Sequence, residues 1–170
     1  MNSKIIKKCK KIKVLLTDVD GVLTDGGMYY SNKGDIMKKF HARDGMGINI
    51  LLRNKIPTII VTKEKNMIIT KWAKKMNVFL VLDGIMKKEL VVDKICKKLK
   101  ITLNEIGFLG DDVNDLKLMG KCGFSATPHD GIKSAISISD YHCKLKGGEG
   151  AFREVVDLII QAQFGAKKLY

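Results

Sequence analysis

Short apolar runs rich in β-branched residues alternate along this chain with stretches of helical periodicity, and that alternation limits the fold more than any other feature. Val14–Thr17, Thr58–Val61, Val78–Leu82, Ile106–Leu109 and Gly123–Ala126 are bounded by Gly, Pro, Asp or Asn and read as strands. Between them, Gly47–Lys55, Met67–Met76 and Lys88–Leu99 repeat apolar residues every three or four positions, and Phe152–Phe164 fits a further helix. In Lys88–Leu99 the stripe consists of Leu90, Val91, Ile95 and Leu99. Strands alternating with helices predict an α/β fold of three layers, a parallel sheet with helices on both faces. One segment breaks the rhythm: residues 26–40 read as two short strands around a turn at Ser31–Gly34, a β-hairpin arm projecting from the sheet. A bare hairpin is marginal in water and needs something to pack on, and another subunit would serve. No repeat, low-complexity tract or linker interrupts the 170 residues, so a single domain over 1–170 is expected.

Parallel sheets bind ligands beyond the carboxyl ends of their strands. Reactive side chains stand at those positions here. Asp18 and Asp20 follow the first strand, Thr62 the second, and Asp111 and Asp112 the run Ile106–Leu109. Two carboxylates two residues apart at a strand end are costly if buried, unless a cation neutralises them, and a hard divalent ion with oxygen ligands such as Mg²⁺ suits them. Taken alone, the Asp18–Asp20 pair reads equally well as a solvated turn. The segment Gly110-Asp111-Asp112-Val113-Asn114-Asp115 taken alone also reads as ordinary helix capping. Two acidic clusters at two strand ends of one sheet are harder to dismiss. A hydroxyl at Thr62 can donate to a phosphoryl oxygen, and an ammonium at Lys88 can neutralise a carboxylate and a transferring group. By itself Lys88 would be taken for a surface lysine.

The net charge of +13 raises the question of nucleic acid. Of the 31 basic residues only Arg43, Arg53 and Arg153 are arginine, the residue that base-edge and bidentate phosphate readers favour. The lysines are spread along the chain, mostly in pairs, which suits solvated faces and the attraction of an anionic small substrate; no nucleic-acid partner is expected. Cys9, Cys96, Cys122 and Cys143 form no CxxC pair and no zinc-spaced cluster, which points to thiols in a reducing compartment. The basic N-terminal stretch lacks an apolar core like that of a signal peptide, and no apolar run reaches the roughly 18 residues of a membrane span. A cytoplasmic protein without a membrane partner is the expectation.

The set of motifs resembles the haloacid dehalogenase-like phosphatase superfamily. Asp18-Val19-Asp20-Gly21-Val22-Leu23-Thr24-Asp25 matches its first motif, Thr62 its second, Lys88 its third and Gly110–Asp115 its fourth, in the right order. The resemblance spans roughly residues 12–160 and implies a Rossmann-like fold and a Mg²⁺-dependent phosphatase. On that resemblance Asp18 is the nucleophile that forms an aspartyl-phosphate, and Asp20 the acid that protonates the leaving alcohol and then deprotonates water. Asp18, Asp111 and the Asp20 backbone carbonyl hold the metal, Thr62 and Lys88 bind the phosphoryl group, and Asp112 and Asp115 support them. The intervals Asp25–Thr62 and Thr62–Asp111 leave no room for a large cap domain, so a capless enzyme is expected.

Within the superfamily the chain is similar to the sugar-acid phosphatases typified by enzymes of 3-deoxy-D-manno-octulosonate (KDO) 8-phosphate. The matching segments are Asp25–Tyr30, Phe40, Arg43–Ile48 and Gly147–Glu154. That branch implies a homotetramer assembled through hairpins, with a glycine-rich C-terminal tail, about 146–170 here, reaching a neighbouring site. The expected substrate contacts are Thr24, Arg43, Glu64, Lys75, Gly147 and Gly148. Lys63-Glu64 replaces the Gly-Arg of the eight-carbon group, and Glu64 with Lys75 resembles enzymes of 2-keto-3-deoxynononate or N-acylneuraminate 9-phosphate. Arg43-Asp44-Gly45 resembles the eight-carbon group instead. The reading leans to a nine-carbon substrate, with KDO 8-phosphate and lipopolysaccharide synthesis as the alternative. A non-catalytic assembly module like those fused to sialic-acid cytidylyltransferases is a third reading, which the complete set of carboxylates disfavours.

Overall fold

Strand β1 (Val14–Thr17) lies between β4 (Thr58–Val61) and β6 (Ile106–Leu109), and that placement determines where the chemistry sits. The computed structural model describes residues 2–165. In chain order the elements are α1 (Ser3–Cys9), β1, β2 (Tyr29–Ser31), β3 (Gly34–Met37), α2 (Ala42–Arg53), β4, α3 (Met67–Lys75), β5 (Leu80–Leu82), α4 (Val92–Leu99), β6, α5 (Leu116–Lys121), β7 (Phe124–Thr127), α6 (Lys133–Ile138), β8 (Tyr141–His142) and α7 (Ala151–Phe164). Six strands form one parallel sheet of order β5-β4-β1-β6-β7-β8. The chain leaves β1 toward β4 and β5, then crosses back to β6. The crevice where that direction reverses opens at the carboxyl end of β1.

Successive side chains of a strand point to opposite faces, and β1 shows what that does in a three-layer fold. Leu15 packs with Ile48, Leu51, Phe152, Val156 and Ile159 of α2 and α7. Val14 and Leu16 pack with Val92, Ile95, Leu118 and Ala135 on the other face. Ile60 joins the first layer, while Ile59 and Val61 join the second. The central strands are therefore buried at every position, and apolar apart from Thr17 and Thr58. Each such buried aliphatic side chain contributes roughly 1.5–3 kcal/mol. Helix α7 is preceded by Gly150, which has no side chain with which to cap it. Asp44 of α2 supplies the missing acceptor, its Oδ1 taking the Arg153 N–H at 2.8 Å.

Several boundaries differ from those expected. The strand expected at Val78–Leu82 starts at Leu80, because the Val78 N–H still closes α3 on Ala73 O and Asn77 takes a φ of 63°. Helix α2 starts at Ala42 rather than Gly47, capped by the His41 ring, whose Nδ1 accepts from the Arg43 N–H at 3.3 Å. The segment expected to be one helix over Lys88–Leu99 is a 3₁₀ turn at Lys88–Leu90 followed by α4. The tight turn sends Lys88 inward and leaves Leu90 exposed, so the buried face is Val92 and Ile95. Helices α1 and α6 and strand β8 were not expected. The hairpin β2–β3 is present with its turn at Ser31–Gly34. Its root is fastened by a Thr24–Phe40 bridge and by Phe40 stacking on Trp72 at 4.2 Å.

Candidate active site

Asp18, Asp20, Thr62, Lys88, Asp111 and Asp115, all expected from the sequence, converge at the crevice. Asp18 continues β1 by donating its N–H to Leu109 O, and its carboxylate turns into the crevice. Oδ1 accepts from the Val19 N–H at 2.7 Å, and Oδ2 lies 2.6 Å from Lys88 Nζ. Lys88 is fully buried, with Asp115 Oδ1 as its second partner at 2.7 Å. Asp115 Oδ2 in turn accepts the N–H groups of Asp111 (3.0 Å) and Asp112 (3.3 Å), so it folds the loop after β6 around the site rather than capping α5. Thr62 follows β4 with a buried hydroxyl, and its Oγ1 accepts the Glu64 N–H at 3.3 Å. Asp18, Asp20, Thr62, Glu64, Asp111, Asp112 and Asn114 line a cavity of about 520 Å³.

The electrostatics ask for a cation. Carboxylate oxygens of Asp18, Asp111 and Asp115 lie within 4.8 Å of one another. Burial and the Asp115 charge push the Asp18 carboxyl up to about 7, against the pull of Lys88. Burial and then the charges of Asp18, Asp115 and Asp112 push Asp111 up to about 8. Burial alone would lower the Lys88 ammonium, yet Asp18 and Asp115 outweigh it and raise it. One lysine thus faces a surplus of negative charge. Asp111 Oδ1 is buried with no hydrogen-bond partner. An orphaned carboxylate oxygen beside two further carboxylates fits a hard divalent ion with oxygen ligands. Gly21 makes room for this arrangement. Its φ is +83°, and a Cβ there would stand 2.1 Å from Asp111 Oδ2.

Other expected contacts lie elsewhere. The Thr24 hydroxyl is buried, donates toward Val19 O and Asp20 Oδ1 at 3.3 Å each and accepts from the Gly26 N–H, so it shapes the loop after β1. Asp112 is exposed, its Oδ1 accepting its neighbour Val113's N–H. Arg43 lines a separate cavity of about 610 Å³ with Lys144, Arg153 and Glu154. Lys75 sits exposed in the last turn of α3 and does not pair with Glu64. Gly147 and Gly148 do not reach away from the chain. They are buried against its own loop after β1, where the Gly148 N–H meets Val22 O at 3.0 Å and a Cβ on Gly147 would lie 1.9 Å from Gly21 O. The tail expected over 146–170 is a tight segment followed by helix α7, and residues 166–170 lie outside the described residues.

One residue at the site was not anticipated. The Lys38 ammonium, on the hairpin stem, lies 2.7 Å from Asp20 Oδ1 and 2.8 Å from Glu64 Oε2. Extended residues two apart share a face. The apolar anchor Phe40 was therefore the signal that Lys38 points inward.

Comparison with known proteins agrees with this geometry. A profile of the haloacid dehalogenase-like hydrolases matches residues 49–153. The 3-deoxy-D-manno-octulosonate 8-phosphate phosphatase of Haemophilus influenzae is 35% identical over 160 residues, covering 92% of this chain and 87% of that protein. The Escherichia coli K12 enzyme of the same description is 34% identical, covering 96% and 87%. Among solved structures, that phosphatase from Yersinia pestis superposes with a TM-score of 0.95 at 30% identity, covering 98% of this chain and 90% of that one. The Moraxella catarrhalis phosphatase, solved with a magnesium ion, a phosphate ion and KDO, gives 0.92 at 34% identity, covering 96% and 94%.

Proposed function

Since this chain belongs to the haloacid dehalogenase-like hydrolases, we propose that its phosphoric monoester hydrolase activity is directed at a 2-keto-3-deoxy sugar acid, KDO 8-phosphate. The observation that carries the chemistry is the buried Asp18–Lys88–Asp115 cluster beside an unpartnered Asp111 oxygen. Asp18 attacks phosphorus, the bond from phosphorus to the sugar oxygen breaks, and Asp20 delivers a proton to that oxygen. Asp20 then takes a proton from the water that opens the aspartyl-phosphate, releasing phosphate and restoring Asp18. Thr62 donates its hydroxyl to a phosphoryl oxygen, and Lys88 holds Asp18 aimed and neutralises charge on the transferring group. Mg²⁺, held by Asp18, Asp111 and the Asp20 carbonyl, supplies further neutralisation of the phosphoryl oxygens when bound.

The eight-carbon acid is favoured over the nine-carbon acid on two grounds. The curated relatives act on KDO 8-phosphate. The two residues behind the nine-carbon reading also have other places, Glu64 on Lys38 and Lys75 in solvent. The hairpin leaves Met28, Tyr30, Ile36 and Met37 half or more exposed, which supports a homotetramer formed through this arm. No helix among the described residues is long and apolar enough to cross a membrane, and all four cysteines are free thiols, which suits the cytoplasm. The test is phosphate release with Mg²⁺ from KDO 8-phosphate and from 2-keto-3-deoxynononate 9-phosphate, for the protein and for Asp18→Asn. Preference for the eight-carbon ester, lost in Asp18→Asn, is expected. Preference for the nine-carbon ester overturns the substrate, and turnover by Asp18→Asn overturns the nucleophile.

A further inference from the structure

The hairpin stem delivers a cation to two carboxylates that line the site cavity, Asp20 and Glu64, and the reaction as written above gives it no task. The Lys38 side chain is only 4% exposed. Its ammonium touches three carboxylates from three segments: Asp20 of the loop after β1 at 2.7 Å, Glu64 of the loop after β4 at 2.8 Å, and Asp35 of the hairpin at 3.4 Å. Burial would lower its pKa, but the hydrogen bonds and charges of Asp20 and Glu64 raise it above the usual lysine range, so the cation persists at working pH. The stem that carries Lys38 is itself held. Phe40 stacks on Trp72, and Asn66, which caps α3, donates to Asp35 Oδ2 at 2.9 Å.

The consequence falls on Asp20. Its Oδ1 receives Lys38 at 2.7 Å and the Thr24 hydroxyl at 3.3 Å, while Oδ2 has no hydrogen bond among the described residues. One oxygen is pinned and the other is left to exchange a proton. A buried ion cluster is weak evidence for stability, since apolar replacements of such clusters are often neutral. Fixing the orientation of a reacting carboxyl is a stronger reason for its presence, because about 1 Å of misplacement can cost on the order of 10²-fold in rate.

We propose that Lys38, braced by Glu64, is a positioning residue for Asp20, so that the docked hairpin sets the geometry of proton transfer to the leaving oxygen. This rests on the phosphatase reading above. Proton delivery matters for an alkoxide leaving group, which is too basic to depart unprotonated. It matters little for p-nitrophenolate, which departs as a stable anion. The ratio kcat/KM covers steps only as far as formation of the aspartyl-phosphate, so the later work of Asp20 on water does not enter it.

The experiment measures kcat/KM with Mg²⁺ for KDO 8-phosphate and for p-nitrophenyl phosphate. The proteins are the full chain, Lys38→Met, Lys38→Arg and Lys39→Met, the last removing an exposed neighbour whose nearest carboxylate, Asp25, is 3.6 Å away. Lys38→Met is expected to lose about 10²-fold on the sugar phosphate and less than about 3-fold on the aryl ester. Lys38→Arg should recover most of the sugar-phosphate rate, and Lys39→Met should match the parent. If Lys38→Met does not fold, Lys38→Gln, which fills the same space without the charge, is read in the same way. Equal losses on the two substrates, or none on the sugar phosphate, overturn the role of Lys38 alone. A parent protein that hydrolyses neither ester overturns the phosphatase reading and this proposal together.

Discussion

Replacing Lys88 by methionine keeps most of its length and removes its charge, leaving Asp18 and Asp115 facing each other in a site where their side chains are 8% and 0% exposed. Removing one partner of a buried ion pair costs about 3–5 kcal/mol, because the remaining charge has neither solvent nor counter-ion. That is a large share of the roughly 5–15 kcal/mol that holds a domain together. The loss should depend on pH. The Asp18 carboxyl already stands at about 7 in the folded protein while Lys88 pulls it down, and without Lys88 it rises further. A folded pKa above the unfolded value means stability that is present in acid and lost as pH rises through the folded pKa. The variant's deficit against the parent should therefore be smaller at about pH 5 than at about pH 8. Urea unfolding followed by the fluorescence of Trp72, the single tryptophan, measures both in the presence of chelator. In the double variant with Asp115→Asn, the amide oxygen still accepts the Asp111 and Asp112 N–H groups, and one of the two carboxylate charges is gone. It should be more stable than Lys88→Met alone. A deficit under about 1 kcal/mol at pH 8, or one equal at both pH values, refutes the idea that Lys88 is held by uncompensated charge.

Three further outcomes are expected. Mg²⁺ must displace protons from Asp18 and Asp111, at about 7 and about 8, so the rise in melting temperature on adding it should be larger near pH 8.5 than near pH 6. A shift independent of pH would place the ion elsewhere. Gly21→Ala drives a methyl group into Asp111 Oδ2 at a φ of +83°, so kcat should fall on the order of 10²-fold, with saturation by Mg²⁺ needing more metal. Asp44 is buried and pushed up to about 6, so it costs stability as pH rises from about 4 through 6. Asp44→Asn, which keeps an acceptor for the Arg153 N–H, should flatten that decline in thermal melts, and Asp44→Ala should flatten it too while lying about 1 kcal/mol of helix cap below Asp44→Asn at every pH.

What was legible in the sequence was whatever depends on short-range pattern. Apolar β-branched runs ending in Asp or Thr place those side chains at strand ends, and the parallel sheet then gathers them. Asp18, Thr62 and Asp111 needed no knowledge of which strand neighbours which. Lys88 was found by its motif, but its burial was not readable, because it follows from three separate segments closing on one ammonium. The surroundings of the expected substrate contacts were harder to read for a related reason. In α3 the buried positions Ile69 and Ala73 define the inner face, and Lys75, two residues beyond, falls about 200° around a 3.6-residue helix, which is the solvent side. That much could have been argued from the periodicity. The case of Glu64 could not, since its nearness to the site is genuine and only the structure shows its carboxylate already held by Lys38. A charged residue close to a reacting centre reads a substrate only with the valence its own neighbours leave free. At Glu64 much of that valence goes to the hairpin, so what sets this site's selectivity is better sought in the surfaces that close over the cavity than in the loop after β4.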